Sequence, residues 1–423
     1  MRQSKLFTKT LKTAPKDETS TNARLLIRAG YVDKLMAGVY TYLPLGLRVL
    51  NKIKNIVREE MDAIGGQEIL MPALMPKEPW AITGRWVKPG DEVMFQFKGR
   101  GDKEFGLGWT HEEIVTPLVK KFIRSAKDLP ITVYQIQDKF RNEPRAKSGL
   151  LRGREFSMKD LYSFHADEAS LEKYYDLMNK VYLKIFKRCG LDALVTEASG
   201  GAFSQYSHEY QVLTPAGEDT IYYCVTCHYA QNKEISIYKE NDPCPKCSGI
   251  IKEGRAIEVG NIFKLKTKFT QAFNLTFADD DQKQKLAVMG CYGIGPSRVL
   301  GAVVEVRHDE AGLTWPREIA PFLTQLTTIG GKDDKINAKI NKQAEELYQI
   351  LQKQGIEVLY DDRIGLSAGE KLAEADLLGL PYRVIISAKT IEKNAVELKK
   401  RTAKTAESLT AKQLINLLAK DIE

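Results

Sequence analysis

The chain has 423 residues, a net charge of +8 and a sequence pI near 8.9, and is long enough for two or three domains with full-sized cores. It holds no 18-residue apolar run, and Met1-Arg2-Gln3-Ser4-Lys5-Leu6 lacks a signal-peptide core, so a cytoplasmic protein with no membrane partner is expected. The positive excess suits a polyanionic partner but lies in the first 320 residues: from Pro321 to Glu423, 16 Lys and Arg face 15 Asp and Glu.

In chain order, Leu47, Leu50, Ile53, Val57, Met61 and Ile64 recur at helical spacing, and Gly65-Gly66 supplies a stop. A strand is expected over Glu68-Ile69-Leu70-Met71-Pro72. The stretch from Asp138 to Asp160 reads as strand-loop-strand, broken by Pro144 and Gly149, and gathers Arg141, Glu143, Arg145, Arg152, Arg154 and Phe156. Those residue types suit a nucleoside triphosphate. Guanidinium forks grip phosphate oxygens, a carboxylate accepts from an adenine amino group, and a ring stacks on the base.

A helix is predicted from Ser170 to Cys189, with Leu171, Tyr174, Met178, Val181 and Ile185 on one face and Gly190 ending it. Further on, Cys224-Val-Thr-Cys227 and Cys244-Pro-Lys-Cys247 stand 16 residues apart, a spacing that can set four thiolates about one structural zinc. Cys189 and Cys291 fall outside that pattern and are expected to pack in the core; the usage fits a reducing compartment better than disulfides. In Gly290-Cys-Tyr-Gly-Ile-Gly-Pro-Ser-Arg298, glycines allow close backbone approach to a nucleotide, and Arg298 opens an apolar helix where it can sit over a base. Past Trp315-Pro316, strands at Leu323–Ile329, Ile356–Tyr360 and Arg383–Ser387 are separated by helices, the first near Ile336–Lys353, which predicts an α/β domain.

Phe140-Arg141-x-Glu143 with Arg154-Glu155-Phe156 resembles motif 2 of the class II aminoacyl-tRNA synthetases. The early helix-strand pair resembles motif 1 and Gly290–Arg298 motif 3. Gly108-Trp-Thr-His-Glu-Glu113, Tyr134-Gln-Ile-Gln137, Ser157-Met-Lys-Asp-Leu-Tyr-Ser-Phe-His165 and Gly290-Cys-Tyr-Gly-Ile-Gly295 are similar to the bacterial-type prolyl-tRNA synthetases, from about Thr8 to the C-terminus. The resemblance implies a mixed α/β fold: an α+β catalytic core of antiparallel sheet and helices, then an anticodon-binding domain. The expected divisions are 1–213 and 260–320 for the core, 214–259 for a cysteine-bearing insertion and 321–423 for the last domain.

The resemblance also implies the substrates proline, ATP with Mg2+ and proline tRNA, and a homodimer through motif 1. Residue by residue, it makes Arg141 and Arg298 catalytic, and Arg141, Glu143, Arg152, Phe156 and Arg298 the ATP site. Thr110 and Glu112 would accept the two protons of the proline ring ammonium. His165, Ser207 and His208 would lie near proline, as would Ser204, and Glu209 near magnesium. Trp109, Phe164 and His165 offer a ring slot, although relatives often carry proline where Trp109 stands. Asp361-Asp362-Arg363 and Lys399-Lys400-Arg401 would face the anticodon. Relatives commonly hold a large editing insertion between motifs 2 and 3; the stretch from Leu213 to Gly260 is too short for an independent α/β domain. A sister enzyme for another small amino acid shares these features. A non-catalytic synthetase-like binder fits less well, because Arg141, Glu143 and Arg298 are all present.

Overall fold

The computed structural model describes residues 1–146, 148–201 and 203–421. The chain divides into two compact units, one of Leu35–Tyr40 with Ile53–Glu305, the other of Met1–Lys34, Thr41–Lys52 and Val306–Glu423. Among the described residues, no helix is long and apolar enough to cross a membrane.

The first unit is built on a nine-stranded sheet: β1 (Gln67–Glu68), β2 (Ile131–Phe140), β3 (Glu155–His165), β4 (Ala193–Ser199), β5 (Tyr206–Leu213), β6 (Asp219–Cys224), β7 (Ala230–Asn232), β8 (Ile251–Lys266) and β9 (Val288–Ile294). They lie in the order β5-β4-β7-β6-β8-β9-β3-β2-β1, and β5 also pairs with β8. Most pairings are antiparallel; β1 with β2 and β7 with β4 are parallel. The hairpin β2-β3 runs in register from Ile131 opposite Phe164 to Phe140 opposite Glu155, which brings both ends of the basic loop together. From Lys159 to His165, β3 is buried throughout, and its polar side chains find partners there, as a central strand covered on both faces must be.

One cover is the helix Glu168–Arg188, capped where Asp167 accepts from the Ser170 N–H at 2.7 Å. Leu171, Met178, Val181 and Ile185 are buried as the spacing predicts; Tyr174 is half-buried against His165 and Tyr292, and Tyr175 is buried beside it. Each large apolar side chain removed from water contributes roughly 1.5–3 kcal/mol. The early helix spans Pro44–Asp62 and buries Leu50, Ile53, Val57 and Met61, while Leu47 is 45% exposed and Val49 and Ile56 are inside. The strand expected over Glu68 to Pro72 stops at Glu68, because the Met71 N–H turns to the Gln135 side chain (3.0 Å) instead of a ladder carbonyl.

The second unit carries five strands: β10 (Thr324–Ile329), β11 (Val358–Asp361), β12 (Tyr382–Ser387), β13 (Val396–Lys400) and β14 (Glu407–Leu409). Their order is β11-β10-β12-β13-β14, parallel over the first three and antiparallel beyond. Asp333 caps the helix Asp334–Lys353, whose Ile340, Leu347 and Leu351 meet Leu326, Val384 and Ile386 of the sheet in one core. The helix Ala368–Leu378 starts in a Ser367/Glu370 capping box and ends at Gly379, with φ +73°. A Cβ there would stand 2.2 Å from the Leu313 carbonyl oxygen, so glycine is required. The fold is thus mixed α/β, an antiparallel core sheet with helices plus a smaller α/β domain, as the resemblance implied.

Candidate active site

Strands β2, β3, β8 and β9 converge on a cleft of about 180 Å³. Arg141 follows the last residue of β2, Phe156 is the second residue of β3, and Arg298 sits in the first turn of the helix Pro296–Val306; all three line the cleft with Glu143 and Arg152. The Arg141 guanidinium lies 5.1 Å from the Phe156 ring centroid, and its buried Nε has no partner among the described residues. Burial and then the charge of Arg298 push Arg141 below the usual guanidinium range. Two cations that repel each other beside an unsatisfied donor, which costs about 1–3 kcal/mol, make a place that a polyanion would stabilise.

Arg298 is braced, donating from Nε to the Leu151 carbonyl (2.8 Å) and from Nη1 to Glu258 (3.1 Å). Glu143 accepts from Arg152 Nε at 2.8 Å. Arg154 looks identical to Arg141 in the sequence but bonds backbone carbonyls, Glu143 at 3.1 Å and Ala37 at 3.2 Å, and so closes the loop. Arg145 is exposed.

Thr110 also lines this cleft. Its hydroxyl donates to the Glu112 carboxylate at 2.7 Å, and the Cys291 thiol donates to the same carboxylate at 3.4 Å. Glu112 is fully buried at the start of the helix Glu112–Val119. Asp160 is a further cleft carboxylate, held by Lys139 (2.7 Å), Gln135 (2.9 Å) and the Tyr162 hydroxyl (2.9 Å). Burial opposes its charge, but Lys139 and His111 outweigh that and hold it below the usual carboxylate range. Besides Phe156, the aromatic walls of the cleft are Phe203 and Phe263. Trp109 instead packs with Trp80 and Met94, and Phe164 lies in the core beneath the sheet.

His165 is buried, with ring nitrogens 2.9 Å from the Ser163 and Ser170 hydroxyls; burial pushes it down to about 4, so it is neutral. Ser207 donates to the Ser199 carbonyl at 3.1 Å, and His208 Nδ1 sits 2.8 Å from the Tyr175 hydroxyl. None of these three lines the cleft. Glu209 accepts from Gln211 (2.8 Å) and Asn232 (3.1 Å), and burial and then the charge of Glu258 push it up to about 8. A carboxyl so reluctant to ionise is one that a divalent cation would relieve. Phe203, Phe263, Glu258 and Asn232 escape sequence reasoning because nothing in their spacing separates them from core or surface positions.

Cys224, Cys227, Cys244 and Cys247 place their sulfurs within 4.8 Å of one another. Cys224–Cys247 and Cys227–Cys244 are each 3.6 Å apart, and the Lys246 N–H points at the Cys244 sulfur (3.4 Å). Bonds of about 2.3 Å to a tetrahedral zinc put sulfurs roughly 3.8 Å apart, so the cluster fits that ion.

Residues 95–307 match the family model described as tRNA synthetase class II core domain (G, H, P, S and T), and residues 326–421 match an anticodon binding domain. The proline–tRNA ligase of Sulfurihydrogenibium sp. strain YO3AOP1 is 35% identical, covering 99% of this chain and 99% of that protein. The proline–tRNA ligase of Caldicellulosiruptor bescii is also 35% identical, over 99% of this chain and 98% of its own. The solved Giardia lamblia prolyl-tRNA synthetase in complex with prolyl-adenylate superimposes with a TM-score of 0.77 at 21% identity, covering 93% of this chain and 75% of that one. The Cryptosporidium parvum prolyl-tRNA synthetase complexed with halofuginone and AMPPNP gives 0.78 at 17% identity, over 95% and 77%. At those identities the two structures speak to the fold.

Proposed function

The chain belongs to the class II prolyl-tRNA synthetases, and we propose that its cleft activates proline with ATP and passes the prolyl group to proline tRNA. The observation that carries this reading is Thr110, which lines the same cleft as Arg141, Phe156 and Arg298 and is hydrogen-bonded to the buried Glu112 carboxylate behind it. A secondary ammonium donates its two protons to that pair, while Phe203 and Phe263 flank the ring. Glu143 reads the adenine amino group, Phe156 and Arg298 enclose the base, and Arg152 reaches the outer phosphates.

The proline carboxylate oxygen attacks the α-phosphorus, the bond to the bridging oxygen breaks, and pyrophosphate leaves. Arg141 donates to the charge that builds on the α-phosphate, a preorganised contact in a partly dry site. The terminal ribose hydroxyl of tRNA then attacks the adenylate carbonyl and AMP departs. Neither step requires a covalent enzyme intermediate. Glu209 would hold magnesium, which when bound neutralises phosphate charge. Cys224, Cys227, Cys244 and Cys247 would hold zinc as a structural ion, since four protein ligands leave no open position.

We further read 1–213 and 260–320 as catalytic core, 214–259 as the insertion and 321–423 as the anticodon-binding domain, in a cytoplasmic homodimer whose partners meet through motif 1. The editing insertion of longer relatives is absent in this reading. The alignment to the Sulfurihydrogenibium enzyme runs over 566 positions, which leaves at least 143 without a counterpart in a chain of 423. Proline-dependent charging of purified tRNA tests the assignment directly. Charging with another amino acid in preference to proline would favour the sister enzyme instead.

A further inference from the structure

Beneath Thr110 and Glu112 lies Arg85, which has no place in the mechanism above. Its side chain is 6% exposed, and the side chains of Glu112 and Glu113 are fully buried. A single guanidinium nitrogen, Nη1, reaches both carboxylates, at 3.1 Å to Glu112 and 3.1 Å to Glu113. The rest of the guanidinium faces aromatic rings, with Cζ 4.2 Å from the Trp109 centroid, 5.0 Å from Phe203, 5.3 Å from Phe269 and 5.6 Å from Trp80. Nε and Nη2 are buried and without hydrogen-bond partners among the described residues. The cation therefore cannot swing toward water. It is held in place by ring faces, whose negative quadrupoles favour it there, and its charge is directed at the two carboxylates.

Glu112 thus accepts from three directions at once: Arg85 from below, the Cys291 thiol at 3.4 Å and the Thr110 hydroxyl at 2.7 Å from the cleft. Glu113 has a separate donor, the Thr83 hydroxyl at 2.8 Å. Three donors converging on one carboxylate fix its orientation. We propose that Arg85 is a positioning residue for proline selection: clamped in its aromatic box, it holds the Glu112 carboxylate oriented under Thr110, so that the cleft is matched to a ring ammonium. This rests on the assignment of Thr110 and Glu112 to the proline nitrogen. It also gives Trp109 and Phe203 a task, since they wall in the cation that sets the charge of the site.

The test is proline-dependent ATP–pyrophosphate exchange by the full chain, with KM for proline and for ATP measured separately. Arg85→Met, which keeps length but not charge, is expected to raise the proline KM about tenfold or more while the ATP KM stays within about twofold. Arg85→Lys should recover part of that loss, since it restores the charge without the planar fork. A second readout is inhibition by the proline analogue whose ring nitrogen is replaced by oxygen. Discrimination between proline and this analogue should narrow at least about fivefold in Arg85→Met, because the charge match is what the variant removes.

Thermal unfolding checks the fold. If Arg85→Met does not unfold cooperatively, Arg85→Lys carries the test, with a rise of about threefold in proline KM against an unchanged ATP KM as the expected result. A folded variant with the parental proline KM and analogue discrimination overturns the proposal. Glu112→Gln separates the two layers of the argument. If it raises the proline KM and the Arg85 variants do not, only the role of Arg85 falls. If it leaves the proline KM unchanged, the placement of proline falls and this proposal with it.

Discussion

Arg141 is the least accompanied cation of the cleft. Arg298 has Glu258 and the Leu151 carbonyl, Arg152 has Glu143, and Arg154 has two backbone carbonyls, whereas Arg141 Nε has no partner among the described residues. A donor kept unsatisfied in a buried site is best explained by a ligand that is present only during turnover. Arg141→Ala should therefore lower proline-dependent pyrophosphate exchange on the order of a hundredfold or more while the thermal unfolding profile stays near that of the parent. Near-normal exchange would remove Arg141 from the chemistry. Much of this cleft was legible because Arg141, Glu143, Arg152, Phe156 and Arg298 belong to patterned motifs, and the structure gathers them with Thr110 in one place. What the pattern could not tell is which arginine is spent on the fold. Arg401 is a parallel case: it pairs bidentately with Asp309 at 2.6 and 2.7 Å, 92 residues away, so a charge in a basic run is committed inside its own unit. Arg363 is similarly taken up by Asp361 and Glu374.

The cysteine-bearing segment shows how an element can carry a residue to a site. Cys224 ends β6, Cys227 lies in the turn that follows, and β7 then runs back beside β6 with Tyr223 opposite Ala230. This returns Gln231 to Glu197 (2.8 Å) and Asn232 to Glu209 (3.1 Å), so the knuckle braces the strand that touches the carboxyl assigned to magnesium. Elemental analysis of protein purified without added metal should find about one zinc per chain. Stripping the metal with a chelator should expose the segment between Cys224 and Cys247 to proteolysis, because little apolar mass besides Tyr222 and Ile251 holds it. Protein with no zinc and four freely titratable native thiols would rule the ion out. Spacing alone made the cluster legible, whereas the contact of Asn232 with Glu209 depends on strand order, with β7 wedged between β4 and β6. Element boundaries followed the same division. The helix expected near Ile336–Lys353 is found at Asp334–Lys353, where periodicity and an aspartate cap act together. The strand expected after Gly66 is cut short by a side-chain acceptor that no local pattern announces.

For the molecule as a whole, the proposed absence of an editing insertion has a chemical consequence. Alanine is smaller than proline, so the cleft cannot exclude it by size; only lost contacts disfavour it. Each missing methylene is worth about 1–3 kcal/mol of discrimination in an apolar pocket. A primary ammonium still offers protons to Thr110 and Glu112, while Phe203 and Phe263 lose the ring they would flank. Alanine-dependent pyrophosphate exchange should therefore be weak but measurable. Clearing the product needs a hydrolytic centre, and the segment from Leu213 to Gly260 is occupied instead by β6, β7, the four cysteines and the start of β8. A thiolate set arranged for four-coordinate zinc leaves no position for a water to be activated. The purified enzyme, given alanyl-tRNA specific for proline, should then deacylate it no faster than a control without enzyme. Hydrolysis well above that control would mean that an editing site exists elsewhere in the chain, and the reading of 214–259 as a structural insertion in place of an editing domain would have to be given up.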